Sequence, residues 1–538
     1  MLKVYLLQKH LTFNKRQNNI YIITLTEEEN RKCNKAYFIK RGIIVLFYKS
    51  TRGEGKNVKA SEAIIRGIAE DGGLYVPEEF PRIDKSFKEL SNMDYKELAF
   101  YIMKKYFDDF DEKELKDCID KAYDSKFQHP LIAPLNHKAG TYFLELYHGR
   151  TLAFKDMALS ILPHLLKTSS KKLNITKDIV ILTATSGDTG KAALEGFDSV
   201  EGTKIVVFYP KDGVSEIQKR QMVTQEGKNT LVVGIEGNFD DAQSGVKEIF
   251  NNKNFNKLLQ EKGHRLSSAN SINIGRLVPQ IVYYVYSYVN LVKEKKIIDG
   301  ESINIVVPTG NFGNILAAFY AKNMGIPVQK LICASNENKV LTDFINTGIY
   351  DRNRKFSVTN SPSMDILISS NLERFLYEIS GKDSCLIKNI MTELKEKGKY
   401  EITEEMKKNL DILYGDFSDE DDTLRTIEKV YESSGYLIDT HTAVAYKVYE
   451  KYKKETKDNK VTIIASTASP FKFIKSINEV LNIGDENASD FELINLFSHK
   501  LNLKFPKVLK GLEEKEICHK VSCKKDEMKK VIENFLGI

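Results

Sequence analysis

Residues 147–166 read YHGRTLAFKDMALSILPHLL and place Lys155 where a short apolar run enters an amphipathic helix. An ammonium among apolar neighbours is costly to desolvate and tends to lose its proton. Lys155 is therefore a candidate nucleophile, because a neutral amine can attack a carbonyl. Alternatively, its stem packs and its charged head reaches water, and this stretch alone leaves both readings open. The residues expected on the buried side of the helix are Ala158, Leu159, Ile161, Leu162 and Leu165.

Apolar runs of strand length follow this stretch, and most of them precede a segment of helical periodicity. Continuous apolar strands alternating with helices indicate a parallel sheet that is covered on both faces. We therefore predict an α/β protein. The predicted strands are residues 179–183, 204–209, 230–235, 302–307, 330–334 and 461–465.

The remaining segments suggest four regions. We hypothesise that residues 1–44, which lack a clean period, are an extension outside the native protein. Residues 45–140 would form an N-terminal helical unit, with a helix capped by Ser61 and two more at 95–106 and 112–126. Residues 141–480 would hold two α/β subdomains and a charged helical segment at about 370–435. Residues 481–538 would be a helical tail.

Composition narrows the class of protein. Lys and Arg exceed Asp and Glu by 80 − 74 = 6 in 538 residues, and the charges are mixed, so neither nucleic acid nor a membrane is an expected partner. An anionic small molecule remains possible. The six cysteines have no framework spacing, which suits reduced thiols in the cytoplasm. We predict no metal, because the local group of Cys518, His519 and Cys523 lacks a fourth ligand.

Two loops at predicted strand ends have the composition of anion sites. In ILTATSGDTGKAAL, Ser186, Asp188 and Thr189 stand at the start of a helix, although the same residues also suit a simple helix cap. In NIVVPTGNFGNILAA, the segment from Gly310 to Asn314 lets the backbone approach an anion closely. Its spacing fits neither a P-loop nor a dinucleotide fingerprint. It therefore favours a phosphate without a nucleotide.

Two further elements carry candidate ligands. In VTIIASTASPFKF, Thr467 follows a strand, and its hydroxyl suits either a ring nitrogen or a cap. In SSANSINIGRLVPQ, Arg276 stands at the head of a tyrosine-rich helix, where a guanidinium is suited to phosphate recognition. The tyrosines of that helix are expected to pack.

A Schiff-base lysine, a phosphate loop, a hydroxyl for a ring nitrogen and a carboxylate loop together describe pyridoxal-phosphate chemistry. With these motifs, and with STRGEG, EAIIRGIAEDGGLYVP and IDTHTAVAYK, the chain resembles the threonine synthase family from about Phe47 to Phe473. The resemblance implies fold type II of pyridoxal-phosphate enzymes, which is similar to the tryptophan synthase beta fold. Departures from the family pattern are Arg150, Thr440 and Ser469. Arg150 would either add charge near the phosphate or point to solvent.

Carried over motif by motif, the resemblance implies a role for each candidate residue. Lys155 would hold the cofactor, and Thr467 would meet its ring nitrogen. The cofactor phosphate would be bound by Gly310, Asn311, Phe312, Gly313 and Asn314. The substrate carboxylate and the cofactor's phenolic edge would meet Ser186, Asp188 and Thr189. The substrate phosphate would lie near Asn270, Asn273 and Arg276.

The implied reaction converts O-phospho-L-homoserine and water to L-threonine and phosphate. One alternative is a threonine-synthase-like phospho-lyase that releases a 2-oxo acid from the same substrate. Another is a silent metabolite-binding protein, against which the intact lysine, glycine loop and Thr467 argue. The sequence does not determine the oligomeric state.

Overall fold

The computed structural model describes residues 12–17, 20–24, 37–40, 43–185, 187–211 and 214–538. Four short strands near the start, β1 to β4, form an antiparallel sheet: Thr12–Gln17, Ile20–Thr24, Tyr37–Lys40 and Ile43–Ile44. The other residues before 45 lie outside the described parts, so the hypothesis that residues 1–44 are not native stays a prediction.

The N-terminal unit is mostly helical. Strands β5 (Tyr48–Ser50) and β6 (Tyr75–Pro77) pair antiparallel. The helices of the unit are α1 (Ala60–Arg66), α2 (Phe87–Leu90), α3 (Tyr95–Tyr106) and α4 (Glu112–Ala122). The predicted cap of the first helix is wrong: Lys59 is its N-cap residue, without a side-chain hydrogen bond. Ser61 lies inside the helix, where its hydroxyl donates to Asp109 Oδ2 at 2.6 Å.

The stretch around Lys155 follows a short hairpin, β7 (Leu135–Lys138) and β8 (Thr141–Glu145). Two helices come next, α5 (Asp156–Leu159) and α6 (Leu162–Lys172). The first large sheet then begins; its strands in this region are β9 (Asp178–Ala184), β10 (Thr203–Pro210), β11 (Thr230–Ile235) and β12 (His264–Ser267). The helices that follow these strands or lie between them are α7 (Asp188–Phe197), α8 (Glu216–Val223), α9 (Phe239–Asn251), α10 (Lys253–Glu261) and α11 (Ile274–Lys293).

The second large sheet is built from later parts of the chain. Its further strands, together with a small antiparallel pair, are β13 (Ile303–Pro308), β14 (Val328–Ser335), β15 (Ile349–Asp351), β16 (Lys399–Glu401), β17 (Leu413–Phe417) and β18 (Thr462–Ser466). The helices of this region are α12 (Gly313–Met324), α13 (Val340–Thr347), α14 (Leu372–Ile379), α15 (Ser384–Lys397), α16 (Glu404–Asn409), α17 (Glu420–Ser434) and α18 (Thr440–Thr456). The tail contains α19 (Ile474–Leu481), α20 (Asp490–Lys500), β19 (Val521–Cys523) and α21 (Met528–Leu536).

The two large sheets are parallel apart from the β7–β8 hairpin. Their strand orders are β12-β9-β10-β11-β19 and β17-β14-β13-β18-β8-β7. Alternate residues of a strand enter different apolar clusters: in β10, Ile205 and Val207 face the largest cluster, whereas Val206 and Phe208 face a second one. Because both faces are covered, the strands read as continuous apolar runs. The α/β prediction is confirmed.

Helix α11 belongs to the largest apolar cluster, which joins the N-terminal helices to one face of each large sheet. Most of its side chains are buried, including Tyr283, Tyr284 and Tyr288, so the prediction that its tyrosines pack is confirmed. A helix that is apolar on all sides is normally buried within a large domain. None of the described helices is both long enough and apolar enough to cross a membrane.

Candidate active site

Lys155 lies between the carboxyl ends of the two large sheets. It follows β8 and caps α5, and the backbone N–H of the preceding Phe154 donates to the carbonyl of Thr467 at 2.8 Å. Ala153 forms a β-bridge with Ala468. The loop after β18 therefore fixes the backbone that carries the lysine. In parallel sheets, ligands bind at this edge.

The side chain of Lys155 is only 14% exposed. Its Nζ donates to Ser363 Oγ at 3.3 Å and lies 3.9 Å from Asp188 Oδ2. Burial lowers the pKa of Lys155 to about 8. The negative charge of Asp188 opposes this shift, whereas the positive charges of Lys472 and Arg276 add to it. A substantial fraction of this amine is therefore neutral near pH 8. The alternative, a lysine whose head reaches water, does not describe this side chain.

Asp188 is the buried anion between two lysines. Its Oδ1 accepts from Gln218 Nε2 at 2.8 Å and from Lys472 Nζ. Burial alone would raise the pKa of Asp188, but Lys472 and Lys155 hold it well below its usual range. Lys472 has no exposed side-chain surface, and it also donates to the Thr151 carbonyl at 3.0 Å. Asp188 is thus ionised, with Oδ1 bonded to Gln218 and Lys472 and Oδ2 facing Lys155.

The glycine loop after β13 enters α12 through Phe312, which has a left-handed backbone with φ of 60°. A Cβ on Gly310 would lie 2.7 Å from the Ser363 carbonyl oxygen, so only glycine permits this close approach. Asn314, in the first turn of α12, accepts at Oδ1 from Tyr283 at 2.7 Å and from Tyr284 at 2.6 Å. Its buried Nδ2 has no partner among the described residues.

Arg276 is a second buried group with a donor left over. It is 3% exposed, and its Nη1 donates to the Ala269 carbonyl at 2.9 Å, while its Nε has no partner in the described chain. Burial lowers its pKa to about 10, and Tyr283 opposes this shift. Tyr283 thus influences Arg276 through its charge distribution, while its hydroxyl donates to Asn314. Two unsatisfied buried donors around one tyrosine favour an anion there.

The other predicted ligands differ in their surroundings. Asn273 is fully buried, and its Nδ2 donates to the carbonyls of Ile64 and Ser268 while its Oδ1 accepts from Gly275 N. These contacts make it a structural cap, and they do not favour a ligand role. Asn270 is exposed and Thr189 half-buried, whereas Ser186 lies outside the described residues. The side chain of Arg150 is 44% exposed and pairs with Glu195 at 3.1 Å.

These residues fit pyridoxal phosphate, the cofactor that the sequence resemblance implies. Lys155 supplies a buried amine with a lowered pKa. The loop at Gly310 opens onto a helix N-terminus and the free Asn314 amide, which suit a phosphate. Thr467 is 5% exposed, and its hydroxyl forms no hydrogen bond with a described residue, so it can meet a ring nitrogen.

Three polar residues of the site were not predicted from the sequence. Lys472 and Ser363 contact the predicted residues directly, and His441 contacts Ser363. His441 is 2% exposed and stands in the quoted IDTHTAVAYK stretch; Lys472 stands in STASPFKF. The local signal for one of them is the position of Lys472 between Phe471 and Phe473, within an apolar segment.

Comparisons with known proteins agree with this geometry. Three family models match: Threonine synthase N terminus at residues 47–123, Pyridoxal-phosphate dependent enzyme at 128–467, and Threonine synthase, C-terminal at 442–532. Threonine synthase from Schizosaccharomyces pombe is 36% identical over 85% of this chain and 96% of its own length. Threonine synthase-like 1 from Homo sapiens is 42% identical over 79% of this chain.

The chain spans 58% to 66% of the length of the threonine synthase-like 1 proteins that it matches. Among solved structures, a pyridoxal-phosphate-bound threonine synthase from Brucella melitensis has a TM-score of 0.81 and 33% identity, covering 91% of this chain and 98% of that one. The family is pyridoxal-phosphate dependent. From the site and these likenesses together, the chain belongs to the threonine synthase family of fold type II pyridoxal-phosphate enzymes.

Proposed function

We propose that the chain is a threonine synthase, which converts O-phospho-L-homoserine and water to L-threonine and phosphate. The observation that carries the proposal is the combination of Lys155, with its lowered pKa, and the unsatisfied donors of Arg276 and Asn314. A reaction that moves protons and releases phosphate needs a proton carrier and an anion site. The likeness to a threonine synthase along 96% of that protein's length supports the same choice.

In this proposal Lys155 holds the cofactor, the loop from Gly310 to Asn314 binds its phosphate, and Thr467 meets its ring nitrogen. When bound, pyridoxal phosphate withdraws electrons from the substrate carbon that bears the amine and makes the neighbouring protons acidic. Lys155 then takes the α- and β-protons as phosphate leaves the γ-carbon, and it returns one proton to the γ-carbon. After the hydroxyl of water adds at the β-carbon, with its proton going to the phosphate, Lys155 returns the second proton to the α-carbon. A pKa near 8 suits both directions of transfer.

The charges and hydrogen bonds around Lys155 suggest different roles for Asp188, Thr189 and Arg276. Asp188 is ionised and bonded to Lys472, so it acts by holding the two lysines and is a poor ligand for a carboxylate. The substrate carboxylate is better served by Thr189 and by the backbone N–H groups of Asp188 and Thr189 at the start of α7, since the N–H groups of Gly187 and Gly190 already donate to Thr185 Oγ1. Arg276 serves a phosphate group. Burial of these donors excludes water that would compete for the anions.

Product analysis tests this function. The holoenzyme is incubated with O-phospho-L-homoserine in water enriched in oxygen-18, and phosphate and threonine are quantified by mass spectrometry. The proposal predicts equal amounts of both products, with the label in the threonine hydroxyl, because water adds at the β-carbon. Lys155→Ala should form neither product. The matched control is Lys257→Ala, since the Lys257 side chain is 79% exposed.

A phospho-lyase that releases a 2-oxo acid is the second candidate, because the relatives include threonine synthase-like 1 proteins as well as threonine synthases. It would give phosphate together with ammonia and a 2-oxo acid instead of threonine. That outcome would replace the first proposal. Absence of all these products, with no cofactor retained on purification, would instead favour a silent binding protein.

A further inference from the structure

A buried carboxylate, Asp439, connects two walls of the candidate site. It is the N-cap residue of α18, and its Oδ1 accepts from the backbone N–H of His441 at 2.9 Å and lies 3.0 Å from His441 Nδ1. Its Oδ2 accepts from the hydroxyl of Thr442, which lies 3.0 Å from Ser466 Oγ. Ser466 immediately precedes Thr467. Asp439 therefore fixes the end of β18 and the ring of His441 at once.

The hydrogen bonds of His441 determine its tautomer. The backbone N–H of Ser363 points to His441 Nε2 at 3.1 Å. A backbone N–H can only donate, so Nε2 is the acceptor and the ring proton sits on Nδ1, facing Asp439. The ring is 2% exposed and packs against Phe473 with 4.9 Å between ring centroids. The imidazole is held from both ends in one orientation.

Ser363, at the other end of this chain of contacts, touches both the amine and the glycine loop. It lies in the short 3₁₀ turn Pro362–Met364, and its hydroxyl accepts from Lys155 Nζ at 3.3 Å. Its carbonyl occupies the space that a Cβ on Gly310 would need. A displacement of this turn would change the position of the hydroxyl relative to Lys155.

We propose that Ser363 is a further catalytic residue that holds the free amine of Lys155, and that Asp439 and His441 are positioning residues that hold Ser363. This inference rests on the proposed function, in which Lys155 leaves the cofactor and carries protons. A released lysine has several rotamers, and a fixed acceptor selects the one that faces Ser363. Asp439 also caps a helix, so the experiment must separate this stabilising role from positioning.

Substitutions at His441 make that separation. His441→Gln keeps an acceptor near the position of Nε2, whereas the side chain of His441→Asn is too short to reach Ser363. Loss of one hydrogen bond to a charged amine predicts a fall of about 10-fold in kcat for Ser363→Ala, with KM changed less than about 2-fold. His441→Asn should match that loss, and His441→Gln should restore most of the activity.

The double variant Ser363→Ala/His441→Asn is the decisive measurement. If His441 acts through Ser363, the double variant is no slower than Ser363→Ala alone, because the same interaction cannot be lost twice. A loss equal to the product of the two single losses overturns the proposal. If His441→Asn does not fold, Ser363→Ala still decides: unchanged kcat overturns the catalytic role. His264→Asn, at a buried histidine in β12, is the control for folding.

A second readout does not need turnover. Lys155 in the cofactor-free protein is acetylated at a series of pH values, and its peptide is quantified by mass spectrometry. Ser363 accepts from the ammonium, so Ser363→Ala and His441→Asn should both lower the midpoint by about 0.5 to 1 pH unit, and His264→Asn should not. Unchanged midpoints overturn the inference. If no threonine forms but the midpoints shift, the proposed function fails while the Ser363 contact stands.

Discussion

Replacing Asp188 with asparagine should lower the pKa of Lys155 strongly. The substitution keeps an acceptor for Gln218 and Lys472 but removes the negative charge 3.9 Å from Lys155 Nζ. At that distance two unit charges attract each other by about 4 kcal/mol with an effective dielectric constant near 20. This corresponds to about 3 pKa units. The pKa of Lys155 starts from about 8. We expect it to fall to roughly 5–7, which is less than the full three units at the upper end because the asparagine dipole and the response of Lys472 offset part of the lost attraction.

The assay is the pH dependence of Lys155 acetylation in the cofactor-free protein. The amine reacts only when neutral, so a lower pKa moves the labelling midpoint to lower pH. Lys472→Met should move it upward, because a repelling charge is removed. Asp198→Asn, at the far end of α7, should leave it unchanged. An unchanged or higher midpoint in Asp188→Asn would refute the electrostatic reasoning.

Three further predictions concern the cofactor and the anion site. Lys155→Ala should abolish both turnover and the visible absorbance of the bound cofactor. If both are retained, the assignment of Lys155 as the residue that holds the cofactor is wrong. Inorganic phosphate should raise the apparent Tm of cofactor-free protein by binding the folded state, and Arg276→Met should remove most of that rise; an equal rise in the variant contradicts an anion role for Arg276. Thr467→Val, which replaces the hydroxyl with a methyl of similar size, should lower kcat about 10-fold and alter the cofactor spectrum, whereas Thr467→Ser should retain both.

The sheets were largely predictable because their strands are buried on both faces. The predicted run 230–235 coincides with β11, and the run 204–209 lies within β10, Thr203–Pro210. Strand β8, which leads to Lys155, was missed because only Phe143 and Leu144 of Thr141–Glu145 form an apolar pair, which is too short to stand out as a strand. Strand β19 in the tail was also missed, because Val521–Cys523 is flanked by lysines and is a strand only through its pairing with β11.

The polar part of the site was less predictable. Gly310 and Lys155 stand in local patterns that make them candidates, although the stretch around Lys155 alone left a lysine with its head in water equally open. Ser363 has no such pattern, and Lys472 has only its place between two phenylalanines. Each acquires its role from a partner far away in the sequence: Ser363 contacts Lys155 across 208 positions, and Lys472 contacts Asp188 across 284. Local periodicity contains no information about such contacts. The Lys472–Asp188 contact forms only when both large sheets are in place, because Asp188 follows β9 in the first sheet and Lys472 follows β18 in the second.

The strand order of the second large sheet also affects how the protein folds during synthesis. Strand β8 pairs with β18, whose residues emerge from the ribosome more than 300 positions later, and the loop after β18 supplies the partner of Phe154. Contacts of such sequence separation form slowly, because a long loop must close before they are made. The backbone that carries Lys155 therefore cannot reach its final form on a nascent chain that ends before about residue 470. Cofactor capture is consequently an event that follows translation of the second sheet, and ribosome-bound chains that stop short of β18 should not retain pyridoxal phosphate.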